Sequence, residues 1–407
     1  MNGRLSFFGL LQCCLLFHVN GFRSRLAIAA KRGGAPLELV ETVCPDPTLP
    51  RGDSLFPINQ DLPPLIMHVK ADVAYSTIVE FITKETLLPL SLVIELIEFG
   101  SVYLQKAGQN KLRRLVTKNA GTVAKGSYAR VHVNPRRYPD VHKVSSWEER
   151  IRVIGKYIVL DKPSGAMPHI PTVDNNVENV MSSVSKASRN LPSSLYPVGR
   201  LDACTSGVCL FATDQDSARR ANDAIQSRTV RKFYSVLCYE PSSCTTTFPK
   251  GVVQHLFRKK ALSHPNAKPT LLRSITSPLE ESESDLWQVA QLSILDSSRP
   301  FLLKLDESET MVREVSVELG TGLTHQIRLQ MAALGYPVVN DSRYVPVKGL
   351  LDAGPNTPWG DGSAMVGREP RIKTGLHCAQ LIYPGTVFAQ HEDEVLTASD
   401  PWWQGKE

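Results

Sequence analysis

The sequence contains no run of 18 consecutive apolar residues, so no segment reads as a membrane-spanning helix. Its eight cysteines (Cys13, Cys14, Cys44, Cys204, Cys209, Cys238, Cys244 and Cys378) include no C-x-x-C pair. That spacing argues against a zinc site, and the scatter suits reduced thiols better than a disulfide framework. There is no Walker-type phosphate loop and no dinucleotide-binding glycine fingerprint, so neither a nucleotide cofactor nor a metal is signalled. Acidic residues are missing from two stretches. The first 32 residues hold Arg4, Arg23, Arg25, Lys31 and Arg32 without a single acid. Setting these five aside turns 46 basic against 40 acidic residues into 41 against 40, so the rest of the chain is nearly neutral and its net charge gives no support to nucleic-acid binding. The second stretch, 106–137, carries Lys106, Lys111, Arg113, Arg114, Lys118, Lys125, Arg130, Arg136 and Arg137 with no Asp or Glu. It is a candidate phosphate-facing patch, with an ordinary solvated face as the competing reading.

What is present is a globular composition, 42% apolar and 21% charged, in a chain of 407 residues that can hold two or three domains. Residues 1–34 read as a targeting presequence: Arg4 precedes an apolar stretch over 5–19, broken by Gln12 and His18, and a basic, acid-free stretch over 21–32 follows. The two in series resemble the bipartite plastid presequences of algae with secondary plastids, with Phe22 after the first cleavage point. The expected destination is an organelle, a plastid ahead of a mitochondrion. Residues 35–72 read as a linker, proline-rich as far as 68. From Val73 the period becomes helical. Ile78, Phe81 and Ile82 share one face, Leu92, Ile94, Leu96 and Ile97 another, and Gly100 ends the second helix. Residues 102–104 and 129–133 read as strands, closing a small domain over 73–134. A second linker over 135–150 leads to a larger domain over 150–395. In it 157–160 reads as the first strand, 217–226 as a helix capped by Asp214 or Asp216, and 231–237 as a half-buried strand. Residues 240–285 read as irregular, 287–295 and 313–319 as strands, and a further helix stops near Gly335.

The densest chemistry lies in Pro197-Val198-Gly199-Arg200-Leu201-Asp202-Ala203-Cys204-Thr205-Ser206-Gly207, followed by an apolar run over 208–212 that reads as a short buried strand. Asp202 is thereby expected on a loop entering a core strand, held rigidly and partly desolvated. Taken alone, an R-x-D tripeptide is more often a surface turn with a local ion pair. Here it has company in a fixed order. Asp161-Lys162-Pro163-Ser164-Gly165, with His169 nearby, precedes it, and Arg231-Lys232-Phe233-Tyr234 follows. Then come Gly320-Thr321-Gly322-Leu323-Thr324-His325-Gln326-Ile327-Arg328, Asn340-Asp341-Ser342-Arg343-Tyr344, and Leu376-His377-Cys378-Ala379 with Leu381.

These motifs, in this order over roughly residues 156–384, resemble those of the RluA-type RNA pseudouridine synthases. That family writes R-L-D, two variable residues and T-S-G; an N-K-P-x-G turn; a K-x-Y strand; T-G-R-T-H-Q-I-R; G-D-x-x-Y; and L-H-A-x-x-L. Three departures stand out: Gly199 where many members carry His, as in the sister RsuA-type branch; Asp161 in place of Asn; and Leu323 in place of the first Arg of the helix motif. The order helix, helix, glycine, strand, basic excursion, strand over 73–134 resembles the small S4 RNA-binding module, with the 106–121 insert departing from a compact one. The resemblance implies an α+β (mixed α/β) fold: a catalytic domain on one large, mainly antiparallel sheet, plus the small S4-like domain. It implies RNA as the partner, such as a ribosomal or transfer RNA stem-loop, with no cofactor, no membrane and no protein partner.

Pseudouridine formation detaches uracil from ribose, turns it and rejoins it through carbon. It calls for a carboxylate kept ionised in a closed pocket, a group that orients it, and a wall for a flipped base. The resemblance assigns Asp202 as that carboxylate, either nucleophile or base toward the ribose. It assigns Arg328 as the partner that keeps it charged, in a fork geometry lysine cannot copy. Tyr234 would pack beneath the base. Arg200 would contact the extruded nucleotide or its phosphate, His325 would help open the RNA stem, Thr205 and Gln326 would be further RNA-binding residues, and Lys111, Arg113 and Arg114 would meet backbone phosphates. Two other functions compete. One is a binding-only protein with a dead catalytic domain, against which the intact Asp202, Tyr234 and Arg328 set argues. The other is a hydrolase using Cys378 beside His377, a pair poorly placed because neighbours on a strand face opposite ways.

Overall fold

The computed structural model describes residues 14–19, 22–27, 65–115, 117–119, 121–166, 174–187, 195–241, 248–258, 272–276, 287–344 and 373–404. Within the expected presequence, β1 (Cys14–Val19) and β2 (Phe22–Ala27) pair antiparallel with each other as a separate sheet. The chain divides into two compact units, 1–137 with 172–177 and 138–171 with 178–407.

In the first unit, β3 (Ile66–Lys70), α1 (Ile78–Thr86), α2 (Leu90–Glu98), β4 (Val102–Gln105), β5 (Arg113–Arg114) and β6 (Tyr128–His132) follow in order. The strands form an antiparallel sheet in the order β3-β6-β4-β5. Helix α1 starts where the Thr77 hydroxyl accepts the Glu80 N–H at 3.0 Å and the Glu80 carboxylate accepts the Ser76 N–H at 3.1 Å, satisfying two otherwise orphaned donors. Gly100, at φ 78°, lets the chain turn out of α2. Ile78, Phe81, Ile82, Val93, Leu96 and Ile97 pack on Val102, Leu104, Ala129 and Val131. On α2 it is Val93, not Ile94, that completes the buried face.

Two features of this unit differ from the sequence expectation. Residues 66–70 fall in the expected linker yet form β3, with Ile66 opposite His132. An edge strand with only alternate positions half-buried carries a weak apolar signal, and its partner lies some sixty residues away. Residues 172–177, expected inside the catalytic domain, belong to this unit. Ser101 Oγ donates to the Asp174 carbonyl at 2.6 Å, and the Asp174 carboxylate accepts both the N–H and Nε of Arg136 at 3.2 Å. Asn176 donates its N–H to the Phe99 carbonyl at 2.9 Å. Polar residues fixed by hydrogen bonds leave no hydrophobic period to read.

The second unit contains β7 (Ile151–Ile154), β8 (Tyr157–Lys162), α3 (Val180–Ala187), β9 (Tyr196–Val198), β10 (Ser206–Ala212), α4 (Gln215–Gln226) and β11 (Arg231–Tyr239). Then follow β12 (Gly251–Arg258), β13 (Leu272–Ser274), β14 (Trp287–Ser297), β15 (Phe301–Leu305), β16 (Ser308–Leu319), α5 (Gln326–Ala333), β17 (Leu376–Tyr383) and β18 (Glu394–Thr397). One sheet runs β13-β12-β14-β16-β11-β17-β10-β8-β7, with β15 on β16, β18 on β17 and β9 on β10. Among the described residues its pairings are antiparallel except β10 with β17, so the fold is α+β with a large, mainly antiparallel sheet. Strand β10 is apolar throughout because both of its faces are covered. Val208, Leu210 and Ala212 enter one cluster with Val236 and Val317, and Cys209 and Phe211 another with Ile158 and Leu160.

Here too the sequence reading missed strands. The first is β7, not 157–160; it turns into β8 through Gly155-Lys156, with Gly155 at φ 55°. Strands β12 and β13 arise inside 240–285, and β15 pairs into β16 through Asp306-Glu307. The acidic run 280–285 and the basic Lys259 and Lys260 lie outside the described residues. Helix α4 begins as expected at Asp214, whose carboxylate accepts the Ser217 N–H at 2.8 Å, and buries Ala218, Ala221 and Ala224. Helix α5 is buried on every side, with Ile327 and Met331 in one cluster and Leu329, Ala332 and Ala333 in another.

Gly207 sits at φ 106° directly opposite Cys378, and a Cβ added there would collide with the Cys378 backbone. Gly207→Ala is expected to destabilise the second unit by at least about 1–3 kcal/mol from backbone strain alone. Urea unfolding followed by tryptophan fluorescence will read this as a lowered midpoint; an unchanged midpoint would contradict the close approach.

Candidate active site

The Asp202 loop joins β9 to β10 and rests on the 161–166 turn. Gly165 N–H donates to the Ala203 carbonyl at 3.1 Å, and Ser164 Oγ donates to the Cys204 carbonyl at 2.6 Å. Beneath them Lys162, with no exposed surface, donates Nζ to the carbonyls of Pro163, Ala166 and Ala203 at 3.1, 3.0 and 3.0 Å. Burial lowers its pKa to about 8. The loop closes on itself where Thr205 N–H donates to the Asp202 carbonyl at 3.1 Å. Two motifs separated by about 35 residues are thus one structural unit. His169 lies outside the described residues.

Facing this loop is the N-terminal end of α5. Arg328, fully buried, extends Nη1 to Asp202 Oδ2 at 3.3 Å. Its other edge is gripped by Asp341, Nε to Oδ2 at 2.7 Å and Nη2 to Oδ1 at 2.9 Å. His325, in the left-handed region at φ 57°, brings Nε2 to 3.9 Å from Asp202 Oδ1. Burial pushes the Asp202 carboxyl up, but His325 and Arg328, aided by Lys162, outweigh it and hold it below its ordinary value. The carboxylate is 28% exposed, so it is both ionised and reachable.

Tyr234 on β11 is buried and near enough to be affected by the Asp202 charge. Burial, the neighbouring Cys378 and Asp202 raise its phenol well above 10, which keeps the hydroxyl protonated at neutral pH. Tyr234, Lys232, Arg200, Leu201 and Cys378 line one cavity, with Arg200 itself largely exposed. Lys232 is two residues from Tyr234 on the same strand, and burial lowers its pKa. The Cys378–His377 hydrolase reading has no geometry to support it. Cys378 is hydrogen-bonded to Tyr234 and its thiol is pushed up to about 12 by burial, whereas His377 Nδ1 lies 2.9 Å from Ser206 Oγ.

Asp202, Arg328, His325, Tyr234 and Arg200 therefore gather in the second unit. Two residues expected to meet RNA do not reach the surface. Thr205 is 2% exposed beneath the loop. Gln326 is equally buried, with its amide bonded to Thr321, the Leu323 N–H, the Gln291 carbonyl and Gln330. Both secure the backbone that carries Asp202 and Arg328. In the first unit Lys111 and Arg113 are exposed. Arg114 is not free in the same way: it donates to the Tyr103 hydroxyl at 3.0 and 2.7 Å and to the Asn176 side-chain carbonyl at 2.8 Å. Sequence reasoning gave no role to Lys162, Asp341 or Tyr344. Each stands in a quoted motif, but a motif lists residues without saying which touch one another.

A carboxyl whose pKa is lowered on folding stabilises the fold above its unfolded pKa, about 4, and loses that contribution as pH falls below it. In urea unfolding at stepped pH, the wild type is expected to lose stability below about pH 4 more steeply than Asp202→Asn. Parallel curves would mean that the Asp202 charge is not coupled to the fold.

Residues 156–333 match the family model described as RNA pseudouridylate synthase. The chain is similar to "RNA pseudouridine synthase 6, chloroplastic" of Arabidopsis thaliana, at 27% identity over 415 residues, covering 84% of this chain and 82% of the relative. It is similar to the protein of the same name in Oryza sativa subsp. japonica at 26% identity, covering 85% and 81%. It is also similar to the dual-specificity RNA pseudouridine synthase RluA of Pasteurella multocida at 24% identity, covering 47% and 74%. The matched stretch runs from just before β8 to the end of α5 and so encloses the Asp202 loop, Tyr234 and Arg328. Residues 156–333 thus match a pseudouridylate synthase domain, and the relatives to which the chain is similar are RNA pseudouridine synthases, RluA among them.

Proposed function

We propose that this isomerase converts specific uridines of ribosomal or transfer RNA into pseudouridine, with Asp202 as the carboxylate that attacks or deprotonates the ribose. The observation that carries the reading is the 3.3 Å contact between Arg328 Nη1 and Asp202 Oδ2, made between residues 126 positions apart. An ionised carboxylate close enough to act on a buried phenol, beside a cavity whose wall holds that phenol and Leu201, is what the chemistry of detaching and turning uracil needs. In this reading Arg328 keeps Asp202 charged, Tyr234 packs beneath the uracil, and Arg200 meets the nucleotide as it leaves its stack, an extrusion that costs a few kcal/mol.

The first unit would supply phosphate contacts of the S4 kind through Lys111 and Arg113, independent of base sequence. Arg114, committed to Tyr103 and Asn176, acts there as a strut. For the cellular location we propose a plastid. The basic, acid-free character of residues 1–34 supports this, as does the word "chloroplastic" in the names of both plant relatives.

Asp202→Ala is expected to lower pseudouridine formation by at least about 10²–10⁴-fold, the range for removing an acid–base group, while RNA affinity is retained. Carbodiimide labelling with primer extension reads the product, and a gel-shift titration reads binding. Substantial turnover by the variant on authentic RNA would refute the assignment. Pseudouridine maps that are identical with and without the gene would favour the binding-only reading. Arg113→Glu is expected to weaken RNA binding. A fluorescent fusion of residues 1–40 that stays in the cytosol would dismiss the organelle.

A further inference from the structure

The 340–344 turn has no part in the reading above, yet it touches both Arg328 and His325, the two side chains of α5 and its cap that face Asp202. Asp341 and Tyr344 have no exposed surface. Asp341 takes the Nε and Nη2 edge of Arg328 in a two-point grip at 2.7 and 2.9 Å. Tyr344 places its hydroxyl 2.8 Å from His325 Nδ1, and its ring lies under the Arg328 guanidinium at 5.2 Å. We infer that this turn is a positioning element of the active site, in which Asp341 aims Arg328 and Tyr344 aims His325 at Asp202. The inference rests on Asp202 being the reacting carboxylate.

The bond lengths rank the two carboxylates. Arg328 is held closely by Asp341 and more loosely, through Nη1 alone, by Asp202 at 3.3 Å. A two-point grip fixes the plane of a guanidinium, and its Nη1 is then delivered to a preset place. Were Asp202 the only counter-charge, the fork would close on it and occupy both of its oxygens. With Asp341 taking that fork, Asp202 is charged, oriented and still free to react. Tyr344 does the same for the imidazole. By occupying Nδ1 it leaves Nε2 to face Asp202 Oδ1 at 3.9 Å. Among the described residues, Lys162 from β8 and Tyr234 from β11 are the other ionisable groups shown to act on or respond to Asp202.

The turn is itself fixed. Asn340 adopts φ 59°, a left-handed conformation that asparagine tolerates, where the family pattern has glycine. Arg343 N–H donates to Asp341 Oδ1 at 3.2 Å, and Tyr344 N–H donates to the Asp341 carbonyl at 3.1 Å. Just ahead, Val339 N–H donates to the Leu237 carbonyl at 2.9 Å. That bond ties the turn to β11, the strand that carries Tyr234, so one short segment sets the guanidinium, the imidazole and the phenol relative to each other.

The test compares single-turnover rate and RNA dissociation constant for Asp341→Asn, Tyr344→Phe and Asp202→Ala. Asp341→Asn keeps the volume and one acceptor. It is expected to slow turnover by about 10- to 100-fold, the usual effect of disturbing a group that orients a reacting one, with RNA affinity unchanged. Tyr344→Phe removes one oxygen, keeps the ring beneath Arg328, and is expected to slow turnover several-fold with affinity unchanged. If Asp341→Asn does not yield folded protein, Tyr344→Phe decides alone. A wild-type rate, or equal losses of rate and affinity, would overturn the inference. An active Asp202→Ala would instead remove the reading on which it rests, whereas an inactive Asp202→Ala beside unaffected turn variants would remove the turn alone.

Discussion

Arg328 has no exposed surface, and a guanidinium taken wholly out of water needs counter-charge on more than one edge. Two carboxylates meet that need here, Asp341 at 2.7 and 2.9 Å and Asp202 at 3.3 Å. Leaving such a charge unpaired costs about 3–5 kcal/mol, so the position of each carboxylate is a condition of the fold as well as of the site. The helix that carries Arg328 is buried on every side for the same reason. Its polar residues Gln326, Arg328 and Gln330 are tolerated only because Thr321, Gln291, Asp341, Asp202 and His255 complete their bonds. What makes α5 unusual as a helix, charge and amide groups in a dry interior, is what lets it present a guanidinium to Asp202.

The second constraint is a backbone contact. Gly207 leaves no room for a side chain against Cys378, and this approach lets β10 run parallel to β17 in a sheet that is otherwise antiparallel among the described residues. The Asp202 loop enters the sheet at that point, and β17 continues to β11, where Tyr234 lies opposite Cys378. The carboxylate and the phenol thus approach each other through a three-strand succession, β10-β17-β11, whose order could not follow from their order in the chain. Lys162, anchored by three carbonyls from two motifs, stiffens the floor beneath.

Elements with a strong local period were legible in the sequence. Helices α1, α2 and α4 present apolar residues at three and four apart, and Gly100 and Asp214 were legible as end signals, whereas the Thr77 cap of α1 emerged only from the structure. Elements whose apolar signal is diluted were not. Strand β3 is an edge strand beside prolines, β15 is mostly exposed, and β12 begins in a stretch whose composition suggests a loop. The boundary between the two units was misplaced at 172–177 because Asp174, Asn175 and Asn176 are held by hydrogen bonds, which leave no periodic trace. In the site, the resemblance carried by the motifs pointed to Asp202, Tyr234 and Arg328. The same logic placed Thr205 and Gln326 at the RNA, whereas burial assigns them to the scaffold.

The sequence by itself determined the residue inventory of this protein: six motifs in a fixed order, a carboxylate ahead of an apolar run, and basic stretches without acids. Those follow from covalent order and from local preferences acting over a few residues. Tertiary structure alone decided that Asp341 shares Arg328 with Asp202, that Tyr344 holds His325, and that Cys378 belongs to the tyrosine and not to its neighbouring histidine. Pairings of that kind depend on which distant segments the sheet order brings side by side, and on the demand that every buried charge find a partner. Neither condition is written in any stretch short enough to be read alone.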